Sequence, residues 1–402
     1  MPPMLSRRDV LLGSGCALAT LTARAHADRT RDGFAVLRAG TAGFDGAVPG
    51  PVIRARRGDE VRVRLVNGLD EPTALHWHGV RLPNAMDGGA PLTGPPVTPG
   101  ASFDYRFTAP DAGTFWYRAM RRDQQERGLY GALIVEESAP PPVDRDQVLL
   151  FADRRDGDGT RQFALNGALA AVDIPARPNE RLRLRFINAS ATQAMNARIE
   201  RHRVLVMALD GEPAEPFVSR DSRLSLGPGN RADVFIDATL PSGSIAPIVF
   251  MQGGGEAALA RIVYEGAPAR AAPPGEPAPL PANPLPERMN FSGALRVTLP
   301  IGGRNGAALD RVPLFAAARG RTVVMALDNR DTAAHVVHLH GHHFRLLDRL
   351  DDGWKPYWLD TIVVVGRQTA RIAFVADNPG RWLIEQPALD GLAAGANWFE
   401  VR

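Results

Sequence analysis

The sequence predicts an all-β protein in which one β-sandwich plan is used three times. Turn residues recur about every 8 to 12 positions, and the segments between them alternate in polarity, as half-buried strands do. Three stretches look alike: "DEVRVRLVNG" (59–68), "ERLRLRFINAS" (180–190) and "RTVVMALDNR" (321–330). Each carries aliphatic residues after a turn and includes an Asn near its end. Three related blocks of strands indicate three related domains.

Two proline-rich stretches divide the 402-residue chain. The stretch "SAPPPVD" (138–144) separates the first two blocks, and a longer Pro/Ala-rich stretch precedes the third. Such composition is typical of semi-rigid linkers. We therefore predict one domain over 28–140, a second over 141–265, a linker over 266–287 and a third domain over 288–402.

The first 27 residues have the pattern of an export signal. Arg7 and Arg8 precede an apolar run that ends at a small-x-small cleavage site, Ala25-His26-Ala27. The twin arginine predicts a Tat-type signal peptide over 1–27 and a periplasmic protein with no integral membrane segment after cleavage. Cys16 is the only cysteine and lies inside this segment, so the mature protein is expected to have no thiol.

The charge of the chain argues against a nucleic-acid partner. The formal net charge is +3, and most of it lies in the predicted signal, where three arginines face one aspartate. The remainder is close to neutral, so no basic patch is expected.

Histidines are concentrated in two short motifs. "LHWHG" (75–79) and "HLHG" (338–341) each place two histidines on one face of a strand. For nine histidines in this chain, about 0.2 such pairs would arise by composition alone. If the first and third domains meet, the pairs form a four-imidazole cluster suited to copper, zinc, iron or nickel. The alternative is a set of hydrogen-bonded core histidines without a metal.

Four stretches resemble the motifs of a known family, in the same order along the chain. They are "LHWHGVRLPNAMDGG" (75–89), "GTFWYRAMRRDQQERGLYGALIV" (113–135), "HVVHLHGHHF" (335–344) and "ADNPGRWLIEQPALDGLAAGANWFEV" (376–401). The chain is identified by them as a member of the multicopper oxidases, which include laccases. This resemblance implies three cupredoxin-like Greek-key β-sandwich domains. It also implies two sites: an electron-entry copper held by two His, a Cys and often a Met, and a three-copper cluster held by eight His that reduces O2.

The resemblance assigns roles to five histidines. His76 and His338 match ligands of the cluster's lone (type 2) copper, His78 and His340 match ligands of its copper pair, and His335 matches a ligand of the electron-entry copper. The other family ligand positions are replaced: Arg118, Met120, Glu385, Gln386, Pro387, Gly391 and Ala396.

These replacements lead to two functional hypotheses. The first is a non-catalytic protein that binds an unknown periplasmic protein partner, similar to a copper-free, division-associated member of the family. The second is a mononuclear copper protein, or a residual copper-dependent oxidoreductase, that uses the type 2-like histidines. The first hypothesis describes a copper-poor or copper-free protein, and under either hypothesis we expect at most about one copper ion.

Further expectations concern individual residues. Arg118 and Glu385 are predicted to form a buried ion pair in the vacated cluster; the alternative is that each faces water. Asp87 matches an acidic residue that assists proton delivery in related enzymes, and otherwise reads as a turn residue before two glycines. His342 and His343 are expected to be packing or rim residues, and His202 to be structural.

Overall fold

The computed structural model is an all-β chain in which six sheets form three β-sandwich domains, as predicted. It describes residues 30–155, 161–252, 255–302, 309–347, 357–391 and 394–402, so the predicted signal peptide and Cys16 lie outside the described residues. Within these ranges, no helix has both the length and the apolar character needed to cross a bilayer.

Domain 1 consists of two four-stranded sheets, in the orders β2-β1-β4-β6 and β3-β8-β7-β5. Its strands are β1 (Ala35–Gly40), β2 (Gly43–Phe44), β3 (Ile53–Arg56), β4 (Glu60–Asn67), β5 (Leu75–His78), β6 (Ser102–Thr108), β7 (Gly113–Ala119) and β8 (Tyr130–Glu136). A 3₁₀ turn (Asn84–Met86) and a short helix α1 (Arg122–Glu126) interrupt the strands. β5 and β7 are buried along their whole length, because their outer face contacts the other domains.

Domain 2 pairs a six-stranded sheet, β10-β9-β12-β17-β14-β15, with a five-stranded sheet, β11-β19-β18-β13-β16. Its strands are β9 (Arg145–Arg155), β10 (Arg161–Leu165), β11 (Val172–Ala176), β12 (Arg181–Asn188), β13 (Met195–Ile199), β14 (Leu205–Leu209), β15 (Glu212–Val218), β16 (Arg223–Leu226), β17 (Arg231–Asp237), β18 (Ile245–Gln252) and β19 (Gly255–Tyr264). A 3₁₀ turn (Arg220–Ser222) precedes β16.

Domain 3 pairs the sheets β20-β22-β26-β24 and β21-β28-β27-β23-β25. Its strands are β20 (Leu295–Ile301), β21 (Ala316–Ala317), β22 (Arg321–Asn329), β23 (His335–Leu339), β24 (Arg345–Leu346), β25 (Thr361–Val364), β26 (Thr369–Ala376), β27 (Gly380–Pro387) and β28 (Ala394–Val401). In β23 and β27, His338 lies opposite Glu385, which brings two of the family's motif positions together.

The three look-alike stretches are equivalent strands, each closed by an asparagine. Asn67, Asn188 and Asn329 end β4, β12 and β22, and all three are buried. In each, Nδ2 donates to two backbone carbonyl oxygens, and Oδ1 accepts the backbone N–H two residues ahead. A buried amide that satisfies three backbone groups explains why Asn recurs at this place.

Each domain has its own apolar core between its two sheets. A further cluster joins domains 1 and 2, where Trp116, Tyr130 and Ile134 pack against Leu150 and Ile187. This cluster packs part of the outer face of β7 and β8 against domain 2.

The Pro/Ala-rich segment 266–287 runs along the surface of domains 1 and 2. Arg181 donates to the carbonyl oxygen of Gly275, and Arg57 donates to that of Ala282. The side chain of Leu280 is buried against domain 2. Asn283 bonds both backbone groups of Ala112, so this part of the segment is fixed to domain 1.

Candidate metal centre

Three histidines from domains 1 and 3 converge on one point. His76 comes from β5, His338 from β23, and His340 follows β23 directly; all are at most 2% exposed. Each offers a ring nitrogen, and these atoms all lie within 4.8 Å of one another. The Nε2 atoms of His76 and His338 are 3.1 Å apart. Sequence reasoning required that the two domains meet, and the structure brings them together here.

The outward nitrogens of the first two rings are held by the backbone. His76 Nδ1 lies 3.1 Å from the carbonyl oxygen of Asp87, and His338 Nδ1 lies 3.1 Å from that of Asp360. A carbonyl oxygen only accepts, so each Nδ1 carries the proton and each Nε2 presents a lone pair. Two lone pairs that face each other repel unless a cation lies between them. This is the arrangement in which protein groups orient metal-binding imidazoles, and it fits a bound metal ion.

Burial keeps these imidazoles neutral. It lowers the pKa of His76 to about 3, helped by the charge of His340, and it also lowers the pKa of His338. A neutral imidazole is the form that ligates metals, so protons do not compete at these two rings near neutral pH.

Asp87 holds the third histidine and carries the opposite charge. Its carboxylate lies 3.0 Å from His340 Nδ1, and its backbone orients His76. Burial disfavours the charged form of His340, but Asp87 and Glu385 outweigh it and raise its pKa to about 9. Burial would also raise the pKa of Asp87, yet His340 and His76 hold it well below its usual range. Asp87 therefore positions two imidazoles of the centre.

His78 lies beside the three converging rings. Its ring stacks on His338, with centroids 3.6 Å apart. Its Nε2 donates to Thr361 Oγ1 at 2.9 Å, and that hydroxyl donates to Asp360. His78 Nδ1 is buried and has no hydrogen-bond partner among the described residues. This nitrogen can therefore accept a hydrogen bond or bind a metal ion.

The predicted pair between Arg118 and Glu385 is confirmed. Arg118 Nη2 donates to Glu385 Oε2, and the two side chains are 7% and 17% exposed. The resemblance matches both positions to ligands of the copper pair in the family. The Arg118 guanidinium thus lies at a position that the resemblance matches to a ligand of the copper pair, and a guanidinium has no lone pair with which to ligate copper.

Of the five remaining replaced positions, three line a cavity and two do not. Met120, Pro387 and Ala396 line a cavity of about 380 Å³, together with Arg118 and Glu385. Gln386 Nε2 instead donates to Asn397 Oδ1 at 2.8 Å. Gly391 has a left-handed backbone, with φ of +76°.

The expected electron-entry position does not fit a copper ion. His335 is buried, with Nδ1 at 3.1 Å from the carbonyl oxygen of Gln386 and Nε2 at 3.1 Å from Asp331. Both ring nitrogens thus have protein partners. Gln386, Gly391 and Ala396 offer no thiolate or second imidazole, and a blue-copper site requires both.

The other histidines have different surroundings. His342 packs among Phe374, Trp382 and Phe399, which agrees with a packing role. In domain 2, His202 Nδ1 donates to the carbonyl oxygen of Glu200, and its Nε2 accepts from the hydroxyl of Tyr264, as a structural residue would.

His343 differs from the expected packing or rim residue. It is 3% exposed and faces two carboxylates, one from Glu212 and one from Asp360. It therefore lies in a polar, fully buried junction between domains.

Sequence reasoning missed Asp360, Thr361 and Arg231. Asp360 receives two hydrogen bonds from Arg231, at 2.9 and 2.6 Å, and all three side chains are buried. The available signal is "YWLDTIVVV" (357–365), in which an acid and a hydroxyl residue open an apolar strand. A charged residue at such a position needs a buried partner.

Comparisons with known proteins agree with this architecture. Three family models, each described as multicopper oxidase, match residues 29–140, 143–256 and 281–386. The crystal structure of Lac15 from a marine microbial metagenome is 35% identical, with a TM-score of 0.79; the match covers 89% of this chain and 93% of that one. The chain belongs to the multicopper oxidase family. The family assignment implies copper binding.

Two curated relatives of the family are also similar in sequence. Multicopper oxidase MmcO of Mycobacterium tuberculosis is 29% identical, over 85% of this chain and 79% of that protein. Copper resistance protein A of Pseudomonas syringae is 28% identical over 59% of this chain. The chain spans about half of the length of that second relative, 49%.

Proposed function

We propose that this chain is an exported multicopper oxidase family protein that binds one copper ion, and that it has lost the four-electron reduction of O2. The ion is held by His76, His338 and His340. Without metal, Asp87 and Glu385 keep His340 protonated, so this histidine releases one proton when the ion binds. The observation that carries the proposal is the 3.1 Å separation of the Nε2 atoms of His76 and His338, in two rings whose Nδ1 atoms each face a backbone carbonyl oxygen. Three imidazoles with an open position are a common ligand set for such ions.

The chemistry left to the protein is limited. A copper ion in this centre supplies one-electron redox chemistry and an open coordination position. The described residues lack a thiolate for electron entry, and Arg118 occupies the place of the copper pair. The protein therefore has neither a copper site through which electrons could enter nor a copper cluster that could store four of them. Asp87 keeps its role of orienting His76 and His340, and its low pKa makes it a poor proton donor at neutral pH.

The second candidate is a copper-free binding protein with a periplasmic protein partner. The Arg118–Glu385 pair favours it, because a buried ion pair supplies part of the charge that the lost copper ions once supplied. Under this hypothesis, the converging histidines are an inherited polar core.

Metal analysis of the protein, purified from the periplasm of copper-replete cells, separates the two candidates. We expect one copper ion per chain without the intense blue colour of a thiolate site. His76→Ala and His338→Ala should each lose the ion. The matched control is His202→Gln. His202 is buried in domain 2 and is not a ligand of the proposed centre, so this variant should keep the parental copper content. A metal-free parent protein would favour the binding protein, and three or more ions would refute both.

The same preparation tests export. Periplasmic protein should begin after the predicted cleavage site, near residue 28, and Arg7→Lys/Arg8→Lys should leave it in the cytoplasm. Export that persists in this variant would contradict the Tat route.

A further inference from the structure

The three domains meet at a buried group of side chains that lies outside the copper ligands. We call Asp111, Glu212 and His343 the junction cluster. Asp111 lies between β6 and β7 in domain 1, Glu212 begins β15 in domain 2, and His343 lies between β23 and β24 in domain 3. The three are 2%, 1% and 3% exposed. One ligand atom from each lies within 4.8 Å of the others.

Polar atoms of this cluster have no hydrogen-bond partner among the described residues. They are Oε1 of Glu212 and both ring nitrogens of His343. Buried polar atoms are nearly always paired, so three unpaired atoms at one place indicate a site for an ion or a polar ligand. The other oxygen of Glu212 accepts from Asn283 Nδ2 at 2.9 Å, which aims the free oxygen into the cluster.

The spacing of these atoms is that of metal ligands. His343 Nε2 lies 3.6 Å from Glu212 Oε1 and 3.6 Å from Asp360 Oδ2. A hydrogen bond between nitrogen and oxygen would be about 2.7–3.2 Å long. Two ligands of a tetrahedral ion, with bonds of about 2.1 Å, stand about 3.4 Å apart. The separation of His343 Nε2 from Glu212 Oε1, the two cluster atoms of this set, is close to the second value.

The surrounding charges leave room for a divalent cation. Four buried carboxylates and two guanidinium groups face one another here: Asp111, Glu212, Asp210 and Asp360, with Arg81 and Arg231. The carboxylates exceed the guanidinium groups by two. Burial disfavours the charged form of His343, but Glu212 and Asp360 outweigh it and raise its pKa, so the ion would replace a proton on this ring. Burial and neighbouring acids raise the pKa of Glu212 to about 7 and that of Asp210 to about 6, as expected where negative charge is under-compensated.

We propose that the junction cluster binds a divalent cation of the zinc class, which joins the three domains. One imidazole and two carboxylates are a ligand set for Zn²⁺, whereas Ca²⁺ and Mg²⁺ prefer oxygen alone. Both oxygens of Asp111 accept from Arg81, at 2.7 and 2.8 Å, and each keeps a second lone pair for the ion. The ion would connect loops from three domains, so its effect is on the stability of their arrangement.

The test keeps this site separate from the copper centre. Chelator-treated protein is loaded with Zn²⁺ in two forms: the parent preloaded with one equivalent of copper, and the His76→Ala/His338→Ala variant. We expect one zinc ion per chain in both forms, and a higher unfolding temperature with zinc than without it. Because the second form lacks two proposed copper ligands, failure of the copper proposal would leave this result unchanged.

Ligand variants identify the residues. Glu212→Gln and His343→Gln should each weaken zinc binding by more than about tenfold, since even groups behind the ligands contribute that much. The matched control is Glu180→Gln, a buried carboxylate of domain 2 that pairs with Arg145 and should leave zinc binding unchanged. Co²⁺ loaded in place of zinc reports the same site through its visible absorption, which His343→Gln should abolish.

Two outcomes would overturn the proposal. One is the absence of bound zinc in both forms of the folded protein. The other is zinc binding by folded Glu212→Gln and His343→Gln at the parental affinity. Circular dichroism establishes the fold of each variant, and either Gln variant alone is sufficient if the other does not fold.

Discussion

Removing the charge of Glu385 should destabilise the boundary between domains 1 and 3. In Glu385→Gln, the Arg118 guanidinium remains buried but faces a neutral amide. Two unit charges about 4 Å apart interact by about 4 kcal/mol at an effective dielectric constant of about 20. The Glu385 side chain is 17% exposed, so water screens part of this interaction. We expect the free energy of unfolding to fall by about 2–3 kcal/mol.

A double-mutant cycle measures the pair itself. Glu385→Gln, Arg118→Met and the double variant are unfolded in urea and followed by tryptophan fluorescence, and calorimetry determines whether the affected domains unfold in one transition. The double variant should recover part of the loss, because no unpaired guanidinium remains. A coupling energy of about 2 kcal/mol is expected. Single losses that add to within about 0.5 kcal/mol would refute the reasoning, since additive losses mean that the two side chains do not interact.

Three further predictions concern the metal centre. In chelator-treated protein, the free energy of unfolding should fall as pH rises from about 6.5 towards 9, because the pKa of His340 is raised from 6.5 to about 9 and the folded state favours its charged form. An equal pH slope in His340→Gln would contradict this. Gln386→Cys alone should give no blue absorption band on copper loading, since Gly391 supplies no second imidazole; a strong band would contradict the assignment. Gly88→Ala should lower both copper affinity and unfolding temperature by calorimetry, because its Cβ would overlap the carbonyl oxygen of Leu75 beside His76; unchanged affinity would show that this turn does not position the ligand.

Sequence patterns predicted the strands and part of the centre. The alternating or continuous aliphatic residues in 59–68, 180–190 and 321–330 predicted β4, β12 and β22. In β4 the alternation follows from one buried face, whereas β12 is buried along its whole length. The resemblance matched Arg118 and Glu385 to ligand positions of one copper pair, which predicted that the two side chains lie close together. The structure confirms that they pair. By contrast, Asp360 and His343 were not predicted as partners. Their contacts join residues of different domains, and periodicity describes only one element at a time.

The sequence by itself determined which atoms exist for chemistry: the H-x-H pairs 76/78 and 338/340, no cysteine after residue 16, and the side chains at the seven positions that the resemblance matches to family ligands. These follow from covalent composition, which folding does not alter. Only the tertiary structure decided which nitrogen of each imidazole is free. It also brought Asp87 beside His340, whose protonated form it stabilises. Finally, it enclosed Asp111, Glu212 and His343 between three domains. Those properties depend on burial and on hydrogen-bond partners distant in sequence, and both arise only when the domains pack.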